Sequence, residues 1–149
     1  MITRTLQFIA VILTALALVP AGAHLLELPN KIVLPQAEYF TVQGIYRGWS
    51  LLGVVLVAAI LANLLLTVWL RRRGVAFWLA LASLLLVGAT LAIFVVSTYP
   101  ANQATQNWTV VPENWQALRD QWEYAHAISA ILIFIALCFV LLSTFSARR

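Results

Sequence analysis

The chain has 149 residues, 63% of them hydrophobic and 9% charged, with a formal net charge of +4. A water-soluble domain is nearer half apolar and a quarter charged, so this composition excludes one and points to a membrane protein. The length suits a single compact bundle, the positive charge has a topological reading that requires no nucleic acid, and the single cysteine cannot close an internal disulfide.

A membrane span needs about 20 mostly apolar residues. Taken in chain order, residues 5–28, 49–70, 75–98 and 124–145 meet that condition, which predicts an all-α, four-helix transmembrane bundle as one domain over 1–149. Arg4, Arg71, Arg72, Arg73, Arg148 and Arg149 fall on one side of this layout, and Lys31, Arg47 and Arg119 on the other. The positive-inside rule then places both termini and the turn at 71–74 in the cytoplasm. All five acidic residues and both histidines lie toward the outside. Ala21-Gly22-Ala23 also has the look of a signal-peptidase site, whose use would leave His24 at the N-terminus. The length of the apolar stretch and the even number of spans favour its retention as span one.

The connections differ in kind. The turn after span two is tight and basic, whereas the two outer connections are long and aromatic. Pro29 and Pro35 predict a break after span one, because proline cannot donate into a helix and restricts the residue before it. Pro35 is then suited to open a helix through Gln36, Tyr39, Gln43 and Tyr46 into span two. Pro112 is likewise placed at the first turn of a last helix reaching Phe145. At about 1.5 Å per residue that helix is about 50 Å long, longer than a hydrocarbon core of about 30 Å. Its first turns, with Trp115, Arg119, Trp122 and Glu123, are therefore expected to project on the outer side.

Candidate chemistry gathers at that side. His24-Leu-Leu-Glu27 closes span one, and Glu123-Tyr-Ala-His126 opens span four with the same spacing reversed. Residues three apart share a helix face. If the first and last helices are neighbours, the two pairs meet. Two imidazoles and two carboxylates suit a single divalent transition metal held by His24, Glu27, Glu123 and His126, or a metal-free acid–base cluster. The further glutamates of a di-iron bundle are lacking. A structural reading stands beside this one, in which the histidines bond to loops and Glu27 pairs with Lys31. Arg119, four residues before Glu123, is expected to pair with it or to hold an anionic substrate group. The amides of Asn102 and Asn107 can bind a ligand carbonyl or hydroxyl. Trp108, Trp115 and Trp122, at seven-residue spacing, form either an interfacial belt or a flat wall for a lipophilic aromatic, quinone-like molecule. Asn63, deep in span two, reads as interhelical glue.

Tyr99-Pro-Ala-Asn102, Asn107-Trp108-Thr109 and Trp115-x-x-x-Arg119-x-x-Trp122-Glu123-x-x-His126 resemble the C-terminal signature of the anthrone-oxygenase-like family of small four-span membrane proteins. In that family a Pro-x-Asn near the end of span three precedes an Arg…Trp…His motif opening span four. The corresponding positions here are Pro100, Asn102, Arg119, Trp122 and His126. Length and plan agree over the whole chain, and the specific motifs cover its last third. The resemblance implies a four-span membrane fold and, through fungal relatives, oxygenation of anthrones to anthraquinones. The Asn-Trp-Thr and Trp-Glu features look more like the bacterial branch of unassigned function, which implies a bacterial inner membrane. On this reading His126, Glu123, His24 and Glu27 are base or ligand, and Arg119 steadies the anion. Asn102, Asn107, Trp108, Trp115 and Trp122 then bind substrate. The competing class is a non-enzymatic membrane protein: a complex subunit, a lipid binder or a small transporter. The oligomeric state is left open.

Overall fold

A computed structural model describes residues 1–147, and the fold is all-helical. Arg148 and Arg149, two of the arginines used for topology, lie outside the described residues. In chain order the helices are α1 (Ile2–Lys31), α2 (Gln36–Gln43), α3 (Gly53–Trp69), α4 (Val75–Ile93), α5 (Tyr99–Ala104) and α6 (Trp115–Ser146). Two 3-10 turns, Gly44–Tyr46 and Trp49–Leu52, lead into α3, and a π-helical segment, Phe94–Thr98, joins α4 to α5. Four helical stretches are long and apolar enough to cross a membrane: Ile2–Lys31, Trp49–Trp69, Val75–Ala104 and Trp115–Ser146. The chain is an integral membrane four-helix bundle.

Packing follows a closed ring: α1 lies against α3, α3 against α4, α4 against α6, and α6 back against α1. Small residues line the seams, with Ala10, Ala17, Ala59, Ala62, Ala76, Ala80, Ala130 and Ala136 all buried. Lipid tails are as apolar as leucine, so close backbone approach at small residues, rather than hydrophobic burial, brings membrane helices together. The outward faces carry Phe8, Leu16, Leu61, Leu65, Leu85, Phe134 and Leu142, all exposed, as a bilayer-facing surface requires.

One polar node crosses this apolar interior. Asn63 on α3 donates to Thr14 Oγ1 on α1 at 2.9 Å and accepts from Ser83 Oγ on α4 at 2.8 Å. Its second amide proton goes to the Ala59 carbonyl. Asn63 therefore fixes three helices against one another, which is the glue role expected of it.

Three helix boundaries differ from expectation, each for a local reason. Helix α1 does not stop before Pro29 but runs through it and through Pro20 to Lys31. The prolines leave the carbonyls of Leu16 and Leu25 without their usual partners, but the extra turn buries Lys31 against acidic partners. Helix α2 does not continue into span two: it tightens into the 3-10 turn at Gly44–Tyr46, Arg47 is extended, and Gly48 takes φ +89°. That left-handed conformation suits glycine, and it redirects the chain before Trp49. Helix α6 starts at Trp115 rather than at Pro112, behind a turn in which the Trp115 N–H bonds the Pro112 carbonyl. It still spans 32 residues, about 48 Å, so its first turns extend past the apolar part of the bundle.

Candidate functional site at the aromatic end of the bundle

The end formed by the C-terminus of α1, α2, α5 and the N-terminus of α6 carries the polar residues. His24, Glu27 and Lys31 lie on one face of α1, because seven residues make two turns. Trp122, Glu123 and His126 face them from α6. The two histidines meet with ring centroids 4.3 Å apart. His24 also lies edge-on to Trp122 at 5.0 Å, and His126 packs on the same indole at 4.0 Å. Neighbouring first and last helices have thus brought the two mirrored motifs together.

The carboxylates, however, converge on Lys31. Lys31 is only 3% exposed and Glu123 0%. Their charged atoms are 3.0 Å apart, and Glu27 lies 3.7 Å from the same ammonium. Lys31 Nζ also donates to Tyr46 Oη at 2.7 Å, and Tyr46 donates in turn to Glu27. The rings of Tyr46 and Trp122 flank the ammonium at 4.2 and 4.7 Å, an arrangement that steadies a desolvated cation. On the far side Tyr39 donates to Glu123 Oε1 at 2.8 Å, and Gln43 donates to Tyr39 at 2.5 Å. Burial first, and then the neighbouring carboxylates, push the phenols of Tyr39 and Tyr46 far above their ordinary pKa.

This geometry bears directly on metal binding. The described residues include no group of three His, Cys, Asp or Glu side chains placed to hold a metal ion. The two carboxylates of the expected quartet surround an ammonium, so the place between them that a divalent ion would need is already filled by Lys31. His24, Glu27, Glu123 and His126 do not fit a mononuclear metal centre.

The imidazoles are set up differently from each other. His126 Nδ1 lies 2.8 Å from the Trp122 carbonyl. A carbonyl can only accept, so that nitrogen carries the proton and Nε2 keeps its lone pair. His24 is 5% exposed, and its Nδ1 has no partner. Glu123 Oε2 and Gln43 Oε1 are buried without partners as well. A buried polar atom left in this state costs about 1–3 kcal/mol.

Other expected residues occupy supporting positions. Arg119 does not pair with Glu123. It reaches the Leu34 carbonyl and Asp120, each at 3.3 Å, and lies over the Trp115 ring at 5.0 Å. Lys31, coming from another helix, outcompetes it for Glu123. Asn102 Oδ1 accepts from both Trp122 Nε1 at 2.9 Å and Trp108 Nε1 at 3.2 Å, so this oxygen is spent on holding indoles. Asn107 is exposed and lies in a left-handed run, Gln106, Asn107 and Trp108, with φ of 48°, 56° and 64°. That run folds Trp108 back beneath α5, against Trp122 at 5.9 Å and Tyr39 at 5.2 Å. Trp108 and Trp122 are buried, so they build a wall within the protein rather than a belt at the membrane surface. Trp115 is half-buried against Tyr39 and Phe40.

Lys31, Tyr39, Gln43 and Tyr46 belong to the cluster but were not among the candidate residues. The seven-residue step from His24 to Lys31 was a signal for the first of them. Nothing comparable marks the others, which arrive from a separate helix and turn. No family model matches the chain, and neither a curated protein nor a solved structure matches it.

Proposed function

We propose that this chain is an integral membrane oxidoreductase of the bacterial inner membrane, acting on a lipophilic aromatic substrate of the anthrone or quinone type. The aromatic end of the bundle then faces outward and the 71–74 turn faces the cytoplasm. The observation that carries the reading is the state of His126: its Nδ1 proton is held by the Trp122 carbonyl, which leaves Nε2 as a base beside a second imidazole. A ring nitrogen that keeps its lone pair can accept a proton from a substrate held against it. The resemblance of Arg119, Trp122 and His126 to an anthrone-oxygenase-like motif supports the same reading.

In this chemistry the imidazole takes a proton from the carbon opposite the ring carbonyl. The electron pair left behind is delocalised as an enolate and adds to dioxygen. The resulting peroxide takes up a proton to become a hydroperoxide. Loss of the second proton from that carbon, with cleavage of the O–O bond, then forms the new carbonyl. One oxygen atom stays on the ring and the other leaves as water. Lys31 packs on the same Trp122 ring as His126, with its charge met by Glu27 and Glu123.

Oxygen uptake by the purified protein in lipid, with an anthrone added, tests this. The wild-type protein should consume oxygen above the uncatalysed rate, and His126→Gln should fall to that rate while unfolding at a similar temperature. Equal uptake by a folded His126→Gln protein overturns the reading. A second reading, a non-enzymatic complex subunit or lipid binder, draws on the self-contained Lys31–Glu27–Glu123 network. Co-purification with a larger membrane partner, without uptake by the wild-type protein, selects it.

A further inference from the structure

The end of the bundle away from the aromatic site has the opposite charge balance. The five acidic residues are Glu27, Glu38, Glu113, Asp120 and Glu123, and none of them stands at the turn between α3 and α4. That turn carries Arg71, Arg72 and Arg73, all exposed. Among the described residues none of the three takes part in an ion pair. Arg71 Nη1 donates to the Val68 carbonyl at 3.1 Å, which folds the guanidinium back over the last turn of α3. A guanidinium has five N–H donors, so Arg71 keeps most of its own for another acceptor.

A groove of about 270 Å³ runs between α1 and α3 just inside this turn. Leu6, Ile9 and Leu13 form one wall, and Ala58, Ala62 and Leu65 the other. The two alanines lie one turn apart on α3, and their methyl groups do not reach across to the larger side chains of α1. Seven residues separate Leu6 from Leu13, so the groove is about 10 Å long. Ile9 and Leu65 are 42% and 59% exposed, which opens it sideways to the hydrocarbon. At its end nearer the arginines Trp69 Nε1 donates to Thr3 Oγ1 at 2.9 Å, tying α1 to α3 and setting an indole where tryptophans mark the headgroup level. Leu65 and Val68 share a face of α3, and Arg71 is bonded to the carbonyl of Val68. Apolar groove, interfacial indole and guanidinium therefore follow one another along a single seam.

We propose that this seam binds one anionic phospholipid from the leaflet at the 71–74 turn, with an acyl chain in the α1–α3 groove and the phosphate against Arg71 and Arg72. Guanidinium and phosphate make paired, charge-assisted hydrogen bonds. The carbonyl end of α3 opposes an anion with about half a charge, and three arginines outweigh it. A zwitterionic lipid fills the groove equally well but brings its own cation to the arginines, so headgroup charge decides the preference. A second copy of the chain suits the groove less, because a helix is about 10–12 Å across and cannot enter it.

Electron spin resonance of the full chain in phosphatidylcholine vesicles provides the test. The probes are phosphatidylglycerol and phosphatidylcholine, each spin-labelled on an acyl chain, and the fraction held motionally restricted by the protein is measured. Phosphatidylglycerol should associate about fivefold more strongly at low salt, the effect of about one well-placed arginine or more. In 1 M salt, where the screening length is about 3 Å, the preference of the unaltered protein should fall to about twofold or less. Arg71→Gln with Arg72→Gln should lower it as far, and so should Ala58→Leu, which fills the groove and leaves the arginines in place. Equal association of the two lipids with the wild-type protein overturns the proposal, as does a preference that persists in 1 M salt. A preference unchanged by Ala58→Leu in a protein of similar unfolding temperature overturns it as well, because headgroup charge is then read without the groove. Efficient oxidative cross-linking of a Leu65→Cys, Cys138→Ala protein into a dimer puts a second copy on this face and also overturns it. The seam lies at the other end of the bundle from His126, so the result is independent of oxygen uptake.

Discussion

Replacing Lys31 with methionine removes one charge from the most buried ion pair among the described residues while keeping the length and most of the volume of the side chain. The pair is 3.0 Å apart, with both side chains almost wholly out of solvent. At that distance and an effective dielectric near 20 the attraction is about 5–6 kcal/mol. Much of it offsets the desolvation of the two ions, but losing one partner leaves the other buried alone, at a cost of about 3–5 kcal/mol. Glu123 can escape this only by taking a proton. For a carboxyl of ordinary pKa near 4.3 that route costs about 3.7 kcal/mol at pH 7, at about 1.36 kcal/mol per unit. The two routes agree, and for a chain of this size they predict a fall in unfolding temperature of roughly 6–20 °C. They also fix the pH dependence. The protonation route costs only about 1 kcal/mol at pH 5, so the deficit of the variant shrinks as the pH falls. Thermal unfolding of the protein in lipid bicelles at pH 7 and pH 5 measures both effects. Adding Glu123→Gln to Lys31→Met removes the stranded charge and should recover at least half of the loss. The reasoning is refuted if Lys31→Met unfolds within about 1 kcal/mol of the wild-type protein at pH 7, or if the double variant is no more stable than the single one.

Asn102→Leu strips the acceptor from two indole N–H groups and should cost about 1–3 kcal/mol for each one left buried, seen in thermal unfolding and in a shift of tryptophan emission. Asn63→Leu cuts the bonds to Thr14 and Ser83 and should cost about 1 kcal/mol in chemical unfolding, in line with interhelical bonds in other membrane proteins; no loss at all would remove its role as glue. Gly48 has φ +89° and open space around it, so Gly48→Ala meets no clash and should cost only the conformational penalty of about 1–2 kcal/mol. The raised phenol of Tyr39 means that Tyr39→Phe should lose none of the phenolate absorbance that the wild-type protein gains up to about pH 11.

The four apolar helices were legible because a span is a property of composition over about 20 residues. The meeting of His24 with His126 was legible too, from equal spacing on helices that a closed bundle makes neighbours. The partners of the carboxylates were harder to read. The expected pairing of Glu27 with Lys31 is present at 3.7 Å, but placing a break at Pro29 gave no sign that the same ammonium also meets Glu123 from the facing helix. Arg119 at four-residue spacing from Glu123 was a local expectation, and a contact from a different helix displaced it. Trp108 reaches the cluster through three consecutive left-handed residues, none of them glycine, so no turn signature announces the fold-back. Gln43 and Tyr39 depend on where α2 packs, which hydropathy does not encode.

The π-helical segment Phe94–Thr98 has a consequence for how this protein tolerates change in length. It stands just before Pro100, whose ring and missing N–H an α-helical turn accommodates badly, and the Ser97 carbonyl within it accepts from Gln121 on α6 at 2.8 Å. One residue turns an α-helix by about 100°. Deleting a single residue here would restore α-helical winding and swing Asn102 away from both indoles, while leaving the packing of α4 against α3 and α6 untouched. The segment therefore sets the rotational register of the aromatic end against the membrane part of the bundle, and the length of the chain through it is what that register depends on.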